Sequence, residues 1–335
     1  MVLRQYRQPW NQRRETVNRH KLQKFILSLL LTCLPVAGCT QTTTTTSAPV
    51  AQATPEKPKL RIVTTFLPMY WFTQAVVGEL AQVDVLVPPG GEVHDYQATP
   101  KDVSAIAQAD ILVKNGLGLE EFLENTIKNA QNTKLKQIDA SRGIKPLQEI
   151  SPVVKPIKSD HDHEHGAGNP HVWLDPVLAI KQVENIRDGL IAADPNNKAT
   201  YETNAAAYIQ KLKELDQQYQ QKLQPYRNTC TFITFHDAFP YLAQRYQIKQ
   251  VAVVEIPEEQ LSPDDVQKTI AAVKKYNVKA LFDEPGTDNK LLTSLSRDLN
   301  LTLRNLDSLE SGSSDPQHYF SAMGSNLQAL QAACE

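Results

Sequence analysis

Residues 196–226, NNKATYETNAAAYIQKLKELDQQYQQKLQPY, form the longest helical pattern in the chain. Apolar and aromatic side chains recur there at spacings of three and four, and no glycine interrupts the run. The pattern predicts one amphipathic helix about 45 Å long, which is long enough to brace two lobes. The recurring positions are Tyr201, Ala205, Tyr208, Leu212, Leu215, Tyr219 and Leu223.

Both flanking parts of the chain alternate apolar runs with helical patterns. The runs are short and rich in Val, Ile, Leu, Phe and Thr, which favours β-strands. Because strands that alternate with helices form parallel sheets, the predicted fold class is α/β. It has two (β/α)-type lobes, each with a mainly parallel sheet, joined by the single long helix. The predicted strands cover residues 60–66, 83–87, 111–115, 231–235, 250–255, 280–283 and 301–306. The predicted helices that follow the linking helix in the chain cover residues 238–246, 263–276, 289–299 and 315–333.

This alternation also sets the expected domain boundaries. The N-terminal lobe spans residues 59–195, the linking helix 196–226 and the C-terminal lobe 227–335. Within the first lobe, residues 151–170 hold three of the eight histidines and few apolar residues. Loops of that length are usually functional or disordered, so we predict a histidine-rich surface loop there.

The N-terminus has the features of an export signal. A basic stretch ends at Lys24, and an apolar run of about 12 residues follows, too short to span a bilayer. The run ends in Val36-Ala37-Gly38-Cys39, which resembles a bacterial lipoprotein processing site. We therefore expect a signal peptide at 1–38 and a lipid anchor on Cys39, with 39–58 forming the anchor and a flexible tether. The alternative is an ordinary secretory signal followed by an incidental cysteine.

Charge and cysteines narrow the function classes further. Without residues 1–38, the chain carries a net charge of about −8, which excludes a basic nucleic-acid surface. Such a charge is compatible with a cation ligand and equally with solubility alone. In an exported chain, the remaining pair Cys230 and Cys334 predicts a disulfide, and two buried free thiols are the alternative.

Three histidines and one aspartate occupy comparable loop positions, two in each half of the chain. Ligands of α/β sheets bind in loops beyond the carboxyl ends of strands. Each residue alone could be a surface or capping residue, but three imidazoles and a carboxylate together suit Zn²⁺ and related ions. The four are His94 in Gly-Gly-Glu-Val-His-Asp-Tyr, His171 in His-Val-Trp-Leu-Asp-Pro, His236 in Phe-His-Asp-Ala-Phe, and Asp307 after the last predicted strand.

A second cluster, Asp160-His161-Asp162-His163-Glu164-His165, lies in the histidine-rich loop. Alternating imidazoles and carboxylates in a flexible segment suit a low-affinity metal collector. The alternative is a solvated polar loop. We expect His161, His163 and His165 to gather a few ions at most and to pass metal inward.

From Leu60 to the C-terminus, the four motifs and their order resemble the zinc/manganese solute-binding lipoproteins of bacterial ABC transporters, the cluster A-I group. The resemblance implies two (β/α) lobes joined by one rigid helix, with metal held between the lobes. It also implies a membrane permease and a cytoplasmic ATPase as partners. Its metal ligands fall on His94, His171, His236 and Asp307.

The third ligand position bears on the choice of metal. Members that resemble manganese carriers usually have glutamate there, whereas this chain has His236, as zinc-type members do. Zn²⁺ is therefore the expected ligand, and Mn²⁺ or mixed use remains open. The motif around Asp307 is weak, so a water molecule or Glu284 could complete the site instead. Asp95, Asp175 and Asp237 are the expected partners of the ligand histidines, by sequence proximity.

The expected function is capture of Zn²⁺ outside the cytoplasm and its delivery to a permease by a membrane-anchored monomer. No His-Glu-x-x-His or Gly-x-Ser-x-Gly motif occurs, so no enzymatic activity is expected. A zinc-dependent hydrolase gains weight only if the fourth ligand is missing, since catalytic zinc keeps an open position. A metal-containing surface adhesin is the remaining alternative, because an anchor and a tether fit it equally well.

Overall fold

The computed structural model describes residues 59–148, 168–254, 262–285 and 289–335. The predicted signal peptide, the lipidated cysteine, the tether and the histidines of the predicted collector loop lie outside these ranges. Among the helices of the described ranges, none combines the length and the apolar character needed to cross a bilayer.

Four parallel strands and their connecting helices form the N-terminal lobe. The strands are β1 (Leu60–Thr64), β2 (Ala81–Val85), β3 (Ile111–Lys114) and β4 (Lys136–Asp139). The helices are α1 (Leu67–Val77), α2 (Pro100–Gln108), α3 (Leu123–Ala130) and α4 (Pro176–Ala193). The strand order is β2-β1-β3-β4. After β2 has been added on one side of β1, the chain therefore crosses over and adds β3 and β4 on the other side.

The C-terminal lobe repeats this plan. Its strands are β5 (Thr231–His236), β6 (Lys249–Val254), β7 (Ala280–Asp283) and β8 (Thr302–Asn305). The helices of this half are α5 (Lys198–Leu223), which precedes the sheet, and α6 (Pro240–Tyr246), α7 (Pro263–Tyr276), α8 (Lys290–Asp298) and α9 (His318–Cys334). The order β6-β5-β7-β8 matches the first sheet, and all neighbouring strands are parallel. The predicted α/β class with two parallel sheets is confirmed.

Strand β4 is the element that the sequence did not predict. It pairs with β3 at the edge of the first sheet, and only Ile138 among its four residues is buried. An edge strand with one buried residue lacks the apolar alternation by which strands are recognised. The short run Lys-Gln-Ile-Asp therefore carries no strand signal of its own.

Helix α5 unites the two lobes through one hydrophobic core. Its buried side chains include all seven apolar positions of the predicted helix. They pack in the same cluster as Phe66 and Phe72 of the first lobe and Phe232 and Phe282 of the second. Because this core is continuous, separating the lobes would expose apolar surface along the helix, which opposes wide domain motion.

A disulfide joins Cys230 to Cys334, whose Cα atoms lie 5.3 Å apart. The bond ties the residue before β5 to the last residue of α9. Closing a loop of 104 residues stabilises the folded state by on the order of 4–5 kcal/mol in the chain-entropy model. The C-terminal helix, which contacts β5 and α5, is thereby held against the second lobe.

Candidate metal centre

Four side chains converge where the carboxyl ends of both sheets meet. His94 follows β2, and His171 lies in the long connection between β4 and α4. His236 is the last residue of β5, and Glu310 lies in the loop after β8. We call His94, His171, His236 and Glu310 the four-residue group. One donor atom from each lies within 4.8 Å of all the others.

Three of the four donor atoms have separations close to those of a tetrahedral metal site, and the His236 donor lies within 4.8 Å of each of them. His94 Nε2 lies 3.2 Å from His171 Nε2 and 3.2 Å from Glu310 Oε1. His171 Nε2 lies 2.8 Å from the same carboxylate oxygen. Four ligands bonded to Zn²⁺ at its usual bond lengths lie about 3.4 Å from one another. The group therefore needs only small side-chain shifts to accept an ion of this size.

Burial makes this polar group unusual. His171, His236 and Glu310 are each at most 2% exposed, and the His94 side chain is 10% exposed. Two buried atoms, His236 Nε2 and Glu310 Oε2, find no hydrogen-bond partner among the residues that the structure describes. Unpaired buried polar atoms are costly in free energy. A bound cation would satisfy both atoms, so the donor set fits a metal.

The pKa values in the group show how its charges interact. Burial alone raises the pKa of Glu310, but the His94 and His236 charges and the hydrogen bond from His171 outweigh it and hold the pKa well below its usual value. Burial alone lowers the pKa of His236, but the carboxylates of Glu310 and Glu284 outweigh it and raise the pKa to about 9. For His171 burial dominates and lowers the pKa to about 3. These shifts favour the protonated form of His236 and the charged form of Glu310.

Hydrogen bonds fix the far sides of two histidine rings of the group. His171 Nδ1 lies 2.9 Å from Asn169 Oδ1, and His236 Nδ1 lies 2.9 Å from Glu284 Oε1. In each case the Nε2 atom is left facing the group. Glu284 is thus a partner of His236 and lies outside the group itself.

Asp175, which the sequence proposed as such a partner, has a different role. Its carboxylate caps α4 by accepting a hydrogen bond of 2.8 Å from the Val177 amide. It also lies 3.4 Å from Arg245 Nε, which in turn bonds to Asp216 of α5. The residue therefore secures the helix that follows the His171 motif.

Asp307 does not belong to the four-residue group. One of its carboxylate oxygens accepts a hydrogen bond of 2.8 Å from the Leu309 amide, and the other lies 4.0 Å from His318 Nε2. Its backbone amide and carbonyl both bond to the side chain of Asn326 in α9. The fourth position that the sequence assigned to Asp307 is occupied in the structure by Glu310, and Asp307 shapes the turn that leads to it.

The sequence did not indicate Glu310 as a candidate ligand, because the position of its side chain depends on this turn. Leu309 has a φ of +63°, in the left-handed region that leucine rarely adopts. This conformation redirects the chain beyond β8 and turns Glu310 towards the histidines. The available signal was weak: Glu310 is the next acidic residue after Asp307, in a short loop before α9.

The loop of residues 306–313, which we call the Glu310 loop, is anchored from the first lobe as well. Trp173 Nε1 donates a hydrogen bond of 2.8 Å to the Ser308 carbonyl. Trp71 Nε1 donates one of 3.0 Å to the Ser313 carbonyl. Both tryptophans are fully buried, so the position of Glu310 is set by contacts from both lobes.

Two parallel α/β lobes on a shared core, with a buried His₃Glu group at their junction, define a two-lobed binding protein for a divalent cation. The family model "Zinc-uptake complex component A periplasmic" matches residues 62–333. The chain belongs to this family, which confirms the resemblance predicted from its motifs.

Curated relatives and solved structures agree with this assignment. The high-affinity zinc uptake system protein ZnuA of Bacillus subtilis is 36% identical over 278 residues, covering 82% of this chain and 87% of the relative. The zinc-binding lipoprotein AdcA of Streptococcus pneumoniae is 37% identical over 282 residues, which cover 82% of this chain. The chain spans only 55% of that relative's length.

Solved structures share the fold along most of the chain. The Zn(II)-bound ZnuA-like domain of Streptococcus pneumoniae AdcA superposes with a TM-score of 0.68 at 35% identity, covering 83% of this chain and 99% of that one. The laminin binding protein Lmb of Streptococcus agalactiae, described as bifunctional with adhesin and metal transporting activity, gives a TM-score of 0.70 at 29% identity, covering 82% and 99%.

Proposed function

We propose that this chain captures Zn²⁺ outside the cytoplasm and delivers it to the permease of an ABC importer, whose ATPase drives uptake. The observation that carries the proposal is the buried four-residue group, whose His236 Nε2 and Glu310 Oε2 atoms lack a hydrogen-bond partner within the described part of the chain. In this proposal His94, His171, His236 and Glu310 are the metal ligands. Family membership and the zinc-binding names of the relatives support it.

The donor set favours zinc over manganese. Three imidazoles and one carboxylate suit Zn²⁺, whereas Mn²⁺ prefers sites richer in oxygen. The group also offers four donors in a compact, buried arrangement, which matches the tetrahedral preference of zinc. Mn²⁺ would require more oxygen ligands than the single carboxylate of this group offers.

Binding, and no chemical reaction, is the role that this donor set suits. A catalytic zinc site keeps one position open for water or substrate. Here a fourth protein donor, Glu310, stands where that position would be. A hydrolase therefore has no support in the arrangement of these side chains.

The predicted N-terminal signal indicates the location of the protein and its attachment to the membrane. We propose export, removal of residues 1–38 and anchoring of a monomer to the membrane through lipid on Cys39. The lobes 59–195 and 227–335 would then present the metal to the permease, joined by the helix of residues 196–226. His161, His163 and His165 would collect metal near the entrance.

A competition between metals tests this function. The purified chain is stripped with a chelator and offered equimolar Zn²⁺ and Mn²⁺ near neutral pH, and retained metal is counted by elemental analysis. One tightly held zinc per chain is expected, and His236→Glu should erode the preference for zinc. Retention of manganese would contradict the choice of metal, and retention of neither metal would contradict the site.

Adhesion is a second candidate, favoured by the likeness to the bifunctional laminin binding protein Lmb. The fold that is shared with that protein supports surface display but identifies no contact surface for laminin. Binding of the purified chain to immobilised laminin, measured with and without zinc, tests the candidate. Absence of saturable binding in both conditions would remove it.

A further inference from the structure

Glu284 lies at the carboxyl end of the C-terminal sheet, directly after β7. The neighbouring parallel strand β5 ends at His236, so both residues lie at the carboxyl ends of adjacent strands. Glu284 Oε1 lies 2.9 Å from His236 Nδ1. Its other oxygen, Oε2, accepts a short hydrogen bond from the Ser308 hydroxyl. Both oxygens of this carboxylate thus have protein partners.

Ser308 is bonded in a second direction as well. Its backbone carbonyl accepts the hydrogen bond from Trp173 Nε1, and it is only 1% exposed. Trp173 lies two residues after His171, and the rings of these two residues are 5.1 Å apart. Ser308 itself lies two residues before Glu310 in the Glu310 loop. One buried serine is therefore linked to His171 through Trp173, to His236 through Glu284, and to Glu310 through its own loop.

We propose that Glu284 and Ser308 form a positioning pair that sets the geometry of the metal site without touching the metal. Glu284 holds the His236 ring with Nε2 towards the metal, and Ser308 holds Glu284. Because Ser308 belongs to the Glu310 loop, His236 and Glu310 are kept in register with each other. This inference rests on the proposed zinc-binding function.

The contacts explain why Glu284 acts as a partner and does not compete as a ligand. Rotating its carboxylate towards the metal would break the bond to His236 and leave the Ser308 hydroxyl buried without a partner. Such an unpaired group is unfavourable. A carboxylate behind a ligand histidine also fixes the ring's tautomer and increases its basicity. Glu284 and Ser308 therefore set the geometry of the site from outside the four-residue group.

The test compares variants of the pair in the purified full chain. Glu284→Ala should lower zinc affinity by about 10–100-fold, as for other outer partners of metal-bound histidines. Glu284→Gln should restore part of the loss, since its amide can still accept from His236 Nδ1. Ser308→Ala keeps the carbonyl bond to Trp173 and should cause a smaller loss, up to about tenfold. Zn²⁺ affinity is measured with a competing chelator.

The visible spectrum of bound Co²⁺ separates positioning from general destabilisation. Co²⁺ in place of zinc reports ligand geometry, so its absorption bands should shift in Glu284→Ala and in Ser308→Ala. Asp194→Asn is the matched control. Asp194 is another buried carboxylate that accepts two hydrogen bonds, from Asn197 and Tyr201, and it lies outside the four-residue group. It should lower thermal stability and leave both the affinity and the spectrum unchanged.

Three outcomes would overturn the inference. Wild-type affinity and spectrum in both Glu284→Ala and Ser308→Ala would show that the pair does not position the site, while the zinc-binding function would stand. Complete loss of zinc in Glu284→Ala, equal to the loss in Glu310→Ala, would make Glu284 a ligand. An unaltered chain that retains no zinc would overturn the proposed function and this inference together.

Discussion

The two lobes share one topology but contribute chemically different halves of the proposed metal site. The N-terminal half supplies His94 and His171, and the far side of His171 meets the neutral amide of Asn169. The C-terminal half supplies His236 and Glu310, and the far side of His236 meets the carboxylate of Glu284. Burial lowers the pKa of His171 to about 3, whereas nearby carboxylates raise that of His236 to about 9.

The difference shows how one pair of sheets can build a site with a charge gradient. The carboxylates of the C-terminal half attract a cation. When metal is absent, the protonated His236 balances their negative charge. In the N-terminal half, burial keeps the His171 imidazole neutral, so it is ready to bind without releasing a proton. At the proposed site, we therefore expect metal capture to exchange the proton of His236 for a cation.

The largest effect is expected from removing the charge of the C-terminal half. Glu310→Gln deletes the only carboxylate of the four-residue group and leaves its three histidines in place. Zinc affinity should fall more than the about 100-fold that loss of an outer partner can cause. Chelator competition on the purified chain measures the change.

Asp307→Asn is the control for this prediction, because Asp307 is the ligand that the sequence proposed. The substituted amide oxygen can still accept from the Leu309 backbone amide, so the turn should persist. Zinc affinity should stay within about tenfold of the unaltered value, below the loss that a missing ligand causes. A greater loss in Asp307→Asn than in Glu310→Gln would return the fourth position to Asp307.

The second effect is a pH dependence of zinc affinity that arises from His236. Because the pKa of His236 is raised to about 9, this histidine carries a proton throughout the neutral range and must release it to bind zinc. Affinity should rise by about tenfold per pH unit, or about 100-fold from pH 6 to pH 8. His171, with a pKa of about 3, contributes nothing to this slope.

Titration calorimetry in buffers of different ionisation enthalpy counts the protons released. About one proton per zinc is expected at pH 7, from His236. In the His236→Gln variant, zinc should bind weakly and this release should vanish. Release of no proton by the unaltered chain would show that the two halves do not differ in protonation.

The sequence predicted the fold closely because local signals and tertiary structure agree in this chain. Helix α7 runs from Pro263 to Tyr276, the predicted range, since a Ser262–Asp265 capping box begins it and Asn277 in a left-handed conformation ends it. Helix α5 was visible from its periodicity alone. These elements depend mainly on residues close in sequence, and so pattern recognition finds them.

The site was predicted in part, and the missing part has a physical reason. The three histidines lie in distinctive motifs next to strand or helix ends, where the topology of the sheets brings them together. Glu310 reaches the group only because Leu309 adopts a left-handed conformation, which contacts with Trp173 and Asn326 impose on the loop. Those contacts come from distant parts of the sequence, and no local pattern encodes them.

A smaller effect is expected from the neutral partner of the N-terminal half. Asn169→Ala removes the acceptor behind His171 and the bond of 2.7 Å to the Asp237 carbonyl. Zinc affinity should fall by about tenfold, at the low end of the range for outer partners, because the lost acceptor is uncharged. The pH dependence should stay unchanged, since His236 keeps its carboxylates.

Asn132→Ala is the matched control for this prediction. Asn132 also bonds to two backbone carbonyls, those of Ile106 and Ala109, but lies away from the four-residue group. It should lower the thermal stability of the chain without altering zinc affinity. Equal losses of affinity in both variants would mean that Asn169 acts through stability alone.

The smallest effect on zinc is expected where the two halves are joined. Trp173→Phe and Trp71→Phe each delete one indole donor to a carbonyl of the Glu310 loop, that of the buried Ser308 or that of the exposed Ser313. Trp173→Phe should cost about 1–3 kcal/mol of folding free energy, and Trp71→Phe less, because water can reach Ser313; denaturant unfolding of the metal-free chain measures both. Only Trp173→Phe should also lower zinc affinity, by less than about tenfold, and shift the Co²⁺ spectrum, because Ser308 also holds Glu284. A Trp71→Phe variant with the same spectral shift would mean that the whole loop responds as one unit, and the distinction between its two anchors would be lost.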